Sequence, residues 1–204
     1  QADSSTTLAQ GRLVVSRSGG EPVRYPLGMI GGHQAINASL AVMAAEELAG
    51  RGYPVAEAAI ARGLARARLP ARIEVIGRRP LVVADAAHNV ASIESLLATV
   101  GPAIADRRPR VLLFAASRDK QVEEMLAVAG GQFEKVVLTR YTTNPRAASI
   151  ERLKAACRKA GLPTPRVAAT PAAGIAEARR LAGTAGSVIV AGSFFLAAEV
   201  RPGG

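Results

Sequence analysis

The chain has 204 residues, of which 49% are hydrophobic and only 3% aromatic, so Ala, Val, Leu and Ile must build its core. Its single cysteine excludes an internal disulfide and favours a reducing cytoplasm. No apolar run approaches the roughly 20 residues that span a bilayer, so no membrane partner is predicted. The net charge is +10, but no aromatic residue interrupts the densest arginine stretch, residues 62–79, to stack on bases. A solvated basic face is therefore predicted rather than a nucleic-acid site.

Residues 1–69 predict an incomplete structural unit. They contain strands at 12–16 and 22–27, a Gly-Gly turn at 19–20, and helices at about 34–48 and from after Pro54 to about 68. These helices lack the strands that they should cover, and the chain lacks an initiator Met, so we expect it to begin inside a larger protein. Pro70 then breaks the pattern, which predicts a domain boundary between residues 69 and 70.

Residues 70–204 predict an α/β fold. After a short strand at 73–76, four apolar runs follow at 81–84, 111–115, 136–138 and 187–191. Each run is followed by an amphipathic stretch rich in Ala, Leu, Glu, Lys and Arg. This alternation is typical of βα units around a parallel sheet that is buried on both faces. We therefore predict a mainly parallel sheet with helices on both of its faces.

A polar residue follows each of the four predicted parallel strands. These residues are Asp85, Ser117, Arg140 and Ser193. The carboxyl ends of parallel strands lie at one edge of a sheet, where the loops leave a crevice for ligands. We therefore expect the four side chains to line one rim in a shared cleft.

The segment Asp85-Ala86-Ala87-His88-Asn89 brings a carboxylate, an imidazole and an amide together between a predicted strand and a helix over 93–100. A strand end followed by a helix start is a common place for a ligand site. The alternative interpretation is structural. In it Asn89 caps the helix, Asp85 ends the strand, and His88 is merely exposed.

Six short segments occur in a recognisable order along the chain. They are Gly32-His33-Gln34-Ala35-Ile36-Asn37-Ala38, Leu69-Pro70-Ala71-Arg72-Ile73-Glu74, Asp85-Ala86-Ala87-His88-Asn89, Ser117-Arg118-Asp119-Lys120, Asn144-Pro145-Arg146-Ala147 and Gly192-Ser193-Phe194-Phe195-Leu196. In this order the chain resembles the second half of folylpolyglutamate synthase/dihydrofolate synthase, in the Mur ligase superfamily. The resemblance runs from about residue 13 to 201. Single motifs are weak here, but six in order are specific.

The resemblance implies a ligase that uses ATP to activate a carboxylate as an acyl phosphate, which the amine of glutamate attacks to form an amide. It implies that ATP lies between a central P-loop domain and a Rossmann-like C-terminal domain. Residues 1–69 would then be the C-terminal remnant of the central ATP-binding domain, and residues 70–204 the Rossmann-like domain. The implied partners are ATP, Mg²⁺, L-glutamate and a folate or dihydropteroate, and the implied state is a monomer.

The resemblance also implies roles for five residues. Asn37 matches the amide that contacts adenine, Arg72 the guanidinium that contacts phosphate, and Asp85 the carboxylate that contacts ribose. His88 and Ser193 match positions that face the amino-acid substrate and the acyl phosphate. Arg72 and Asp85 are both expected to be partly exposed in the cleft, so that truncating either one leaves the fold intact.

Each of these roles has a structural alternative. Asn37 lies four residues after His33, so the two side chains could bridge locally on one helix face. Arg72 could be one more solvated arginine of the basic stretch. Ser193 could simply cap a short helix over 194–200.

The chain departs from the family pattern at several positions. Ala71 and Ala86 stand where the family usually has Gly, and a methyl group there would cost stability or crowd ATP if the backbone needs a positive φ or a close approach. No P-loop is present, because the glycine-rich segment 28–32 lacks the Lys and the hydroxyl residue that hold phosphates and Mg²⁺. The P-loop and the metal ligands are expected in a missing N-terminal part.

Two further interpretations compete with the ligase. The first is a stand-alone, non-catalytic Rossmann-like module that binds a nucleotide or an acidic partner through its basic surface. The second, an NAD-dependent dehydrogenase, fits poorly because no Gly-x-Gly-x-x-Gly follows a strand. Under the ligase hypothesis, the chain alone is expected to be inactive and to bind ATP only weakly.

Overall fold

The computed structural model of the protein describes residues 11–16 and 21–201. The chain forms two compact units, Gln1–Leu69 and Pro70–Gly204, which we call the N-terminal unit and the C-terminal unit. The predicted Gly-Gly turn at 19–20 lies outside the described residues. Within the part of the chain that the structure describes, no helix is long and apolar enough to cross a membrane.

The N-terminal unit is a two-stranded hairpin with two helices. Its elements are β1 (Arg12–Val15), β2 (Val23–Pro26), α1 (Gly32–Gly50) and α2 (Glu57–Arg66). The two strands pair in antiparallel fashion, and Leu13, Tyr25 and Val42 are buried together, with Leu64 packed against them. These elements match the predicted strands and helices, although α2 is about two residues shorter at each end than predicted.

The C-terminal unit alternates strands and helices along the chain. Its elements are β3 (Glu74–Arg78), β4 (Leu81–Ala84), α3 (Val90–Ile104), β5 (Arg110–Phe114), α4 (Val122–Ala129), β6 (Lys135–Leu138), α5 (Ile150–Lys159), β7 (Arg166–Val167), α6 (Pro171–Ala182), β8 (Ser187–Ala191) and α7 (Phe194–Glu199). The sheet order is β3-β4-β8-β5-β6-β7. All neighbouring strands are parallel except β3, which runs antiparallel to β4 at one edge.

Helices cover both faces of the sheet. Alternate side chains of each central strand point to opposite faces, and the two sets pack against different helices. Val111 and Leu113 of β5 share a buried cluster with α6. Leu112 and Phe114 line a small internal gap with side chains of α3 and α4. Strands β4 and β8 are buried along their whole length. The predicted α/β fold, a mainly parallel sheet with helices on both faces, is therefore confirmed.

The order in which the chain adds parallel strands to the sheet reverses once. Strands β4, β5, β6 and β7 progress toward one edge, and β8 then returns to lie between β4 and β5. Helix α3, which follows β4, and helix α6, which leads from β7 back to β8, lie on opposite faces of the sheet. The loops after β4, β8 and β5 therefore meet at a topological switch point, where open α/β sheets bind ligands.

Candidate functional site

The carboxyl ends of β4, β8, β5 and β6 lie at the same edge of the sheet, because these strands are parallel neighbours. The four residues predicted to share a rim, Asp85, Ser193, Ser117 and Arg140, follow these strands. Their placement at one edge is confirmed. Three of them are nonetheless buried, with only Arg140 exposed, so the rim is built largely by side chains that turn inward to bond the loops.

Asp85 directly follows β4, and its carboxylate bonds two backbone segments. Oδ2 accepts from the N–H of Ile73 at 2.8 Å, and Oδ1 accepts from the N–H of Ala87 at 2.7 Å. Asp85 is only 4% exposed, so the expectation of a partly exposed carboxylate was wrong. The physical reason is that both oxygens satisfy buried amides that would otherwise lack an acceptor.

Arg72 lies on a turn next to this carboxylate. Its neighbours Ala71 and Ile73 have φ values of 54° and 49°, in the left-handed region that side chains with a Cβ rarely adopt. Arg72 itself is half-buried, as expected. Within residues 11–16 and 21–201 the structure gives its guanidinium no hydrogen-bond or ion-pair partner. A half-buried cation of this kind can receive an anionic group.

Ala71 and Ala86, at the two positions where the resemblance predicts Gly, lie against each other. Ala71, Ala86 and Ala197 of α7 form a buried cluster, and the exposures of the first two are 1% each. Their methyl groups therefore pack inside the protein instead of facing a ligand. Of the two positions, Ala71 has a positive φ and Ala86 does not, so the conformational cost expected for an alanine falls on Ala71.

His88 and Asn89 directly precede α3, and Asn89 is its N-cap. The Asn89 side chain accepts from the Ser92 N–H at 2.8 Å, and the Ser92 hydroxyl accepts from the Asn89 N–H at 3.0 Å, which is a capping box. The capping role considered for Asn89 is therefore confirmed. His88 is half-buried, and its Nδ1 lies 3.0 Å from the carbonyl oxygen of Ala86. Since a carbonyl only accepts, Nδ1 is the donor in this contact, and Nε2 is the ring nitrogen that does not take part in it.

Gly192 and Ser193 join β8 to α7. Gly192 has a φ of 106°, and an added Cβ would lie 2.4 Å from the Ala115 carbonyl oxygen. The Gly192 N–H donates to the Ala87 carbonyl at 2.8 Å, so the loops after β4, β5 and β8 converge on this glycine. Ser193 is 3% exposed and caps α7 by accepting from the Phe195 N–H at 3.1 Å. The capping role that was considered for Ser193 is therefore present.

The loop after β5 is held by side chains from two other elements. Ser117 Oγ lies 2.6 Å from the Tyr141 hydroxyl. The Arg152 guanidinium of α5 donates to the carbonyls of Arg118 at 2.6 Å and Lys120 at 3.1 Å, and it forms an ion pair of 2.9 Å with Glu123. The sequence predicted no role for Arg152, and no local motif marks it.

Glu199 of α7 fastens the loop after β6. Its carboxylate accepts from the N–H and hydroxyl groups of Thr142 and Thr143, at distances from 2.7 to 3.1 Å. Burial raises the pKa of this carboxyl, but the hydrogen bonds from the two threonines outweigh burial and lower the pKa below its ordinary value. Sequence analysis missed this residue, which lies 57 positions from Thr142.

Asn37 belongs to the N-terminal unit and lies on an exposed part of α1. Its amide nitrogen donates to Gln34 Oε1 at 3.3 Å, and Gln34 Nε2 lies 2.9 Å from His33 Nε2. The local bridge that was considered for this helix is therefore present through Gln34. In the part of the chain that the structure describes, no group of three or more His, Cys, Asp or Glu side chains could hold a metal ion.

Comparison with known proteins adds to this geometry. Residues 71–194 match the family model "Mur ligase, glutamate ligase domain". A relative from Halobacterium salinarum, a "probable bifunctional folylpolyglutamate synthase/dihydropteroate synthase", is 35% identical over 173 residues, which are 85% of this chain and 20% of that protein. The chain therefore spans about one fifth of that relative.

Solved structures give the same relationship. Mycobacterium tuberculosis folylpolyglutamate synthase complexed with ADP matches 93% of this chain and 46% of its own, with a TM-score of 0.74 and 28% identity. The bifunctional folylpolyglutamate synthase/dihydrofolate synthase from Yersinia pestis, complexed with AMPPNP and a Mn ion, matches 72% of this chain and 34% of its own, with a TM-score of 0.62 and 28% identity. The chain thus spans less than half of each solved structure.

Proposed function

This chain belongs to the Mur ligase family through its glutamate ligase domain, and we propose that it forms part of an ATP-dependent enzyme that adds L-glutamate to a folate or dihydropteroate. The observation that carries the proposal is the switch point of the C-terminal unit. There the segment 85–89 and the Gly192-Ser193 loop are hydrogen-bonded to each other, beside the turn that bears Arg72.

The proposed reaction has two steps. An oxygen of the acceptor carboxylate attacks the γ-phosphorus of ATP, ADP leaves, and an acyl phosphate forms. The amine of glutamate, after losing a proton, then attacks the acyl carbon, the amide bond forms, and phosphate leaves with one oxygen from the acceptor. Both steps depend on holding anionic groups close together, and this requires fixed cations and hydrogen-bond donors.

The C-terminal unit offers four groups for this chemistry. Arg72 supplies a planar guanidinium for phosphate oxygens. Asp85 supplies a carboxylate, a group that accepts hydrogen bonds from sugar hydroxyls such as those of ribose. His88 has its Nδ1 engaged with the Ala86 carbonyl, so we propose that Nε2 is the nitrogen that takes the proton of the incoming ammonium group. Ser193 accepts from a backbone amide and can still donate its own hydroxyl hydrogen to an anionic oxygen of glutamate or the acyl phosphate.

The N-terminal unit contributes Asn37, whose exposed amide can form a hydrogen bond with the adenine edge. Its helix α1 supports the proposal that residues 1–69 are part of a larger ATP-binding domain. Ile36, Leu40 and Met43 lie on one side of α1 and are 65%, 60% and 61% exposed. Large apolar side chains at helical spacing are normally covered, so we propose that other strands of such a domain cover them.

The proposal includes Mg²⁺ as the ion that accompanies the ATP phosphates. It also includes inactivity of this chain by itself. The sequence of the chain contains no Gly-x-x-x-x-Gly-Lys-Ser/Thr segment, and that segment supplies the amides, the Lys and the hydroxyl that hold the phosphates in P-loop enzymes. Arg72 and Asp85 would then form the part of a nucleotide site that the C-terminal unit supplies.

The proposal can be tested with protein expressed from the complete gene. Purified protein is incubated with ATP, Mg²⁺, radiolabelled L-glutamate and either dihydropteroate or tetrahydrofolate, and glutamate incorporation is measured with ADP and phosphate release. We expect incorporation that requires ATP, with one ADP and one phosphate per amide. With acceptor carboxylate labelled by ¹⁸O, one labelled oxygen should appear in the phosphate.

The variant Arg72→Ala should lower turnover by roughly ten- to hundredfold, because hydrogen bonds to charged groups contribute about 1.5–3 kcal/mol. Arg158→Ala is the matched control, since it removes an exposed arginine of α5 that lies outside the proposed site. Failure to incorporate glutamate with either acceptor would contradict the proposal and favour a non-catalytic binding module. Release of AMP and pyrophosphate would contradict the acyl-phosphate route.

A further inference from the structure

In the turn that carries Arg72, the residues before and after Arg72 both have an unfavourable backbone conformation. Ala71 and Ile73 are the two non-glycine residues with positive φ among the described residues. A β-branched residue such as Ile73 is especially disfavoured there, because its Cβ substituents approach the following carbonyl. Such a conformation persists only when surrounding contacts fix it.

Three hydrogen bonds to backbone groups of Ala71 and Ile73 fix this turn. The Ala71 N–H donates to Glu74 Oε2 at 2.8 Å, and the Ile73 N–H donates to Asp85 Oδ2 at 2.8 Å. The carbonyl of Ala71 accepts from the Ala86 N–H, also at 2.8 Å. Two of these three bonds therefore depend on carboxylate side chains.

Glu74 is itself held by Arg201, a residue of the segment after α7. Arg201 Nε donates to Glu74 Oε2 at 2.7 Å, and this ion pair is about 30% exposed on each side. Arg201 follows α7, the helix that Ser193 caps. The same carboxylate oxygen therefore receives one bond from the Arg72 turn and one bond from the segment after α7.

We propose that Asp85 and Glu74 are positioning residues that hold the 71–73 turn so that the Arg72 guanidinium is presented to phosphate. This inference rests on the proposed function, in which Arg72 binds the phosphates of ATP. Asp85 thereby contributes to phosphate binding, separately from any contact with ribose. The low exposure of Asp85 and its two hydrogen bonds to backbone amides support this indirect role. The half-buried guanidinium of Arg72 is the group that would contact the phosphate directly.

Inorganic tripolyphosphate separates the two roles, because it has the phosphates of ATP but no ribose. The isolated chain is titrated with tripolyphosphate or ATP at physiological ionic strength, and millimolar affinities are read from amide chemical shifts by NMR. We expect Asp85→Asn to weaken tripolyphosphate binding by about tenfold, since only a fraction of the molecules then holds Arg72 in its binding conformation. Glu74→Ala should also weaken tripolyphosphate binding.

Charge and additivity provide the controls. Asp85→Asn makes the protein more positive, which alone would strengthen anion binding, and Asp106→Asn makes the same change at an exposed site. Asp106→Asn should therefore not weaken binding. The double variant Asp85→Asn with Arg72→Ala should bind tripolyphosphate no more weakly than Arg72→Ala alone, because both changes act through one guanidinium.

A measurement without ligand tests the turn directly. Asp85→Asn should accelerate hydrogen exchange of the Ile73 amide by at least about tenfold more than exchange of the core amide of Ile189 in β8. Equal acceleration at both amides would mean general destabilisation and would overturn the inference. Unchanged tripolyphosphate affinity in Asp85→Asn would also overturn it, while leaving the proposed function standing. Unchanged affinity in Arg72→Ala would instead refute the phosphate role of Arg72 in the proposed function.

Discussion

Replacing Asp85 with Ala is expected to lower the free energy of unfolding of the C-terminal unit by roughly 3–6 kcal/mol. The side chain is 4% exposed and accepts from the amides of Ile73 and Ala87 at 2.8 and 2.7 Å. Each hydrogen bond to a charged group contributes about 1.5–3 kcal/mol, and alanine leaves both buried donors without an acceptor. Asp85→Asn keeps one acceptor oxygen and should cost about half as much. Because domains have a total stability of about 5–15 kcal/mol, the Asn variant should remain folded while the Ala variant becomes marginal.

Urea unfolding of the isolated chain at neutral pH, followed by far-UV circular dichroism, measures these differences. Asp106→Asn is the control, because Asp106 is exposed and should change stability by less than about 0.5 kcal/mol. A loss below about 1 kcal/mol for Asp85→Ala would refute the reasoning. It would mean that water or a rearranged loop satisfies the two amides at little cost.

Three further predictions concern other contacts of the C-terminal unit. Gly192→Ala should destabilise the unit by about 3 kcal/mol or more in urea unfolding, because its Cβ would lie 2.4 Å from the Ala115 carbonyl at a φ that disfavours side chains. Burial raises the pKa of the Cys157 thiol to about 11, so its alkylation at neutral pH should be far slower in the folded chain than in urea; equal rates would contradict its burial. The lowered pKa of Glu199 contributes stability that is present above its unfolded value of 4.5 and is lost as the pH falls through the folded value. Glu199→Gln should therefore flatten the acid end of the stability profile, and an unchanged profile would exclude this contribution.

The strands and their common edge could be predicted because the physical signal is local. β4, β5 and β8 are buried on both faces, so each appears in the sequence as an uninterrupted apolar run. β7 was not predicted, because its two residues, Arg166 and Val167, are both exposed. The antiparallel direction of β3 was not predicted either, since a single sequence carries no signal for strand direction at an edge.

The contacts that hold the loops at this edge could not be predicted. Glu74 and Arg201 lie 127 residues apart, and nothing in either neighbourhood marks them as partners. The left-handed φ of Ile73 contradicts the local preference of a β-branched residue, so sequence alone argues against it. The hydrogen bonds that Asp85, Glu74 and Ala86 form with the turn explain why that conformation persists.

Structural and functional interpretations of the strand-end residues are not alternatives in this fold. Loops at the carboxyl ends of strands have backbone N–H groups that secondary structure leaves unpaired, and side chains such as Asp85 and Ser193 satisfy them. A side chain that already bonds the backbone is fixed in one conformation before any ligand arrives, which lowers the entropy cost of binding. Capping by Ser193, or amide binding by Asp85, therefore does not count against a role toward ATP or glutamate. The contribution of Asp85 to phosphate binding can be separated from a contact with ribose by a ligand that has only one of these groups. Tripolyphosphate is such a ligand, because it has phosphates but no ribose.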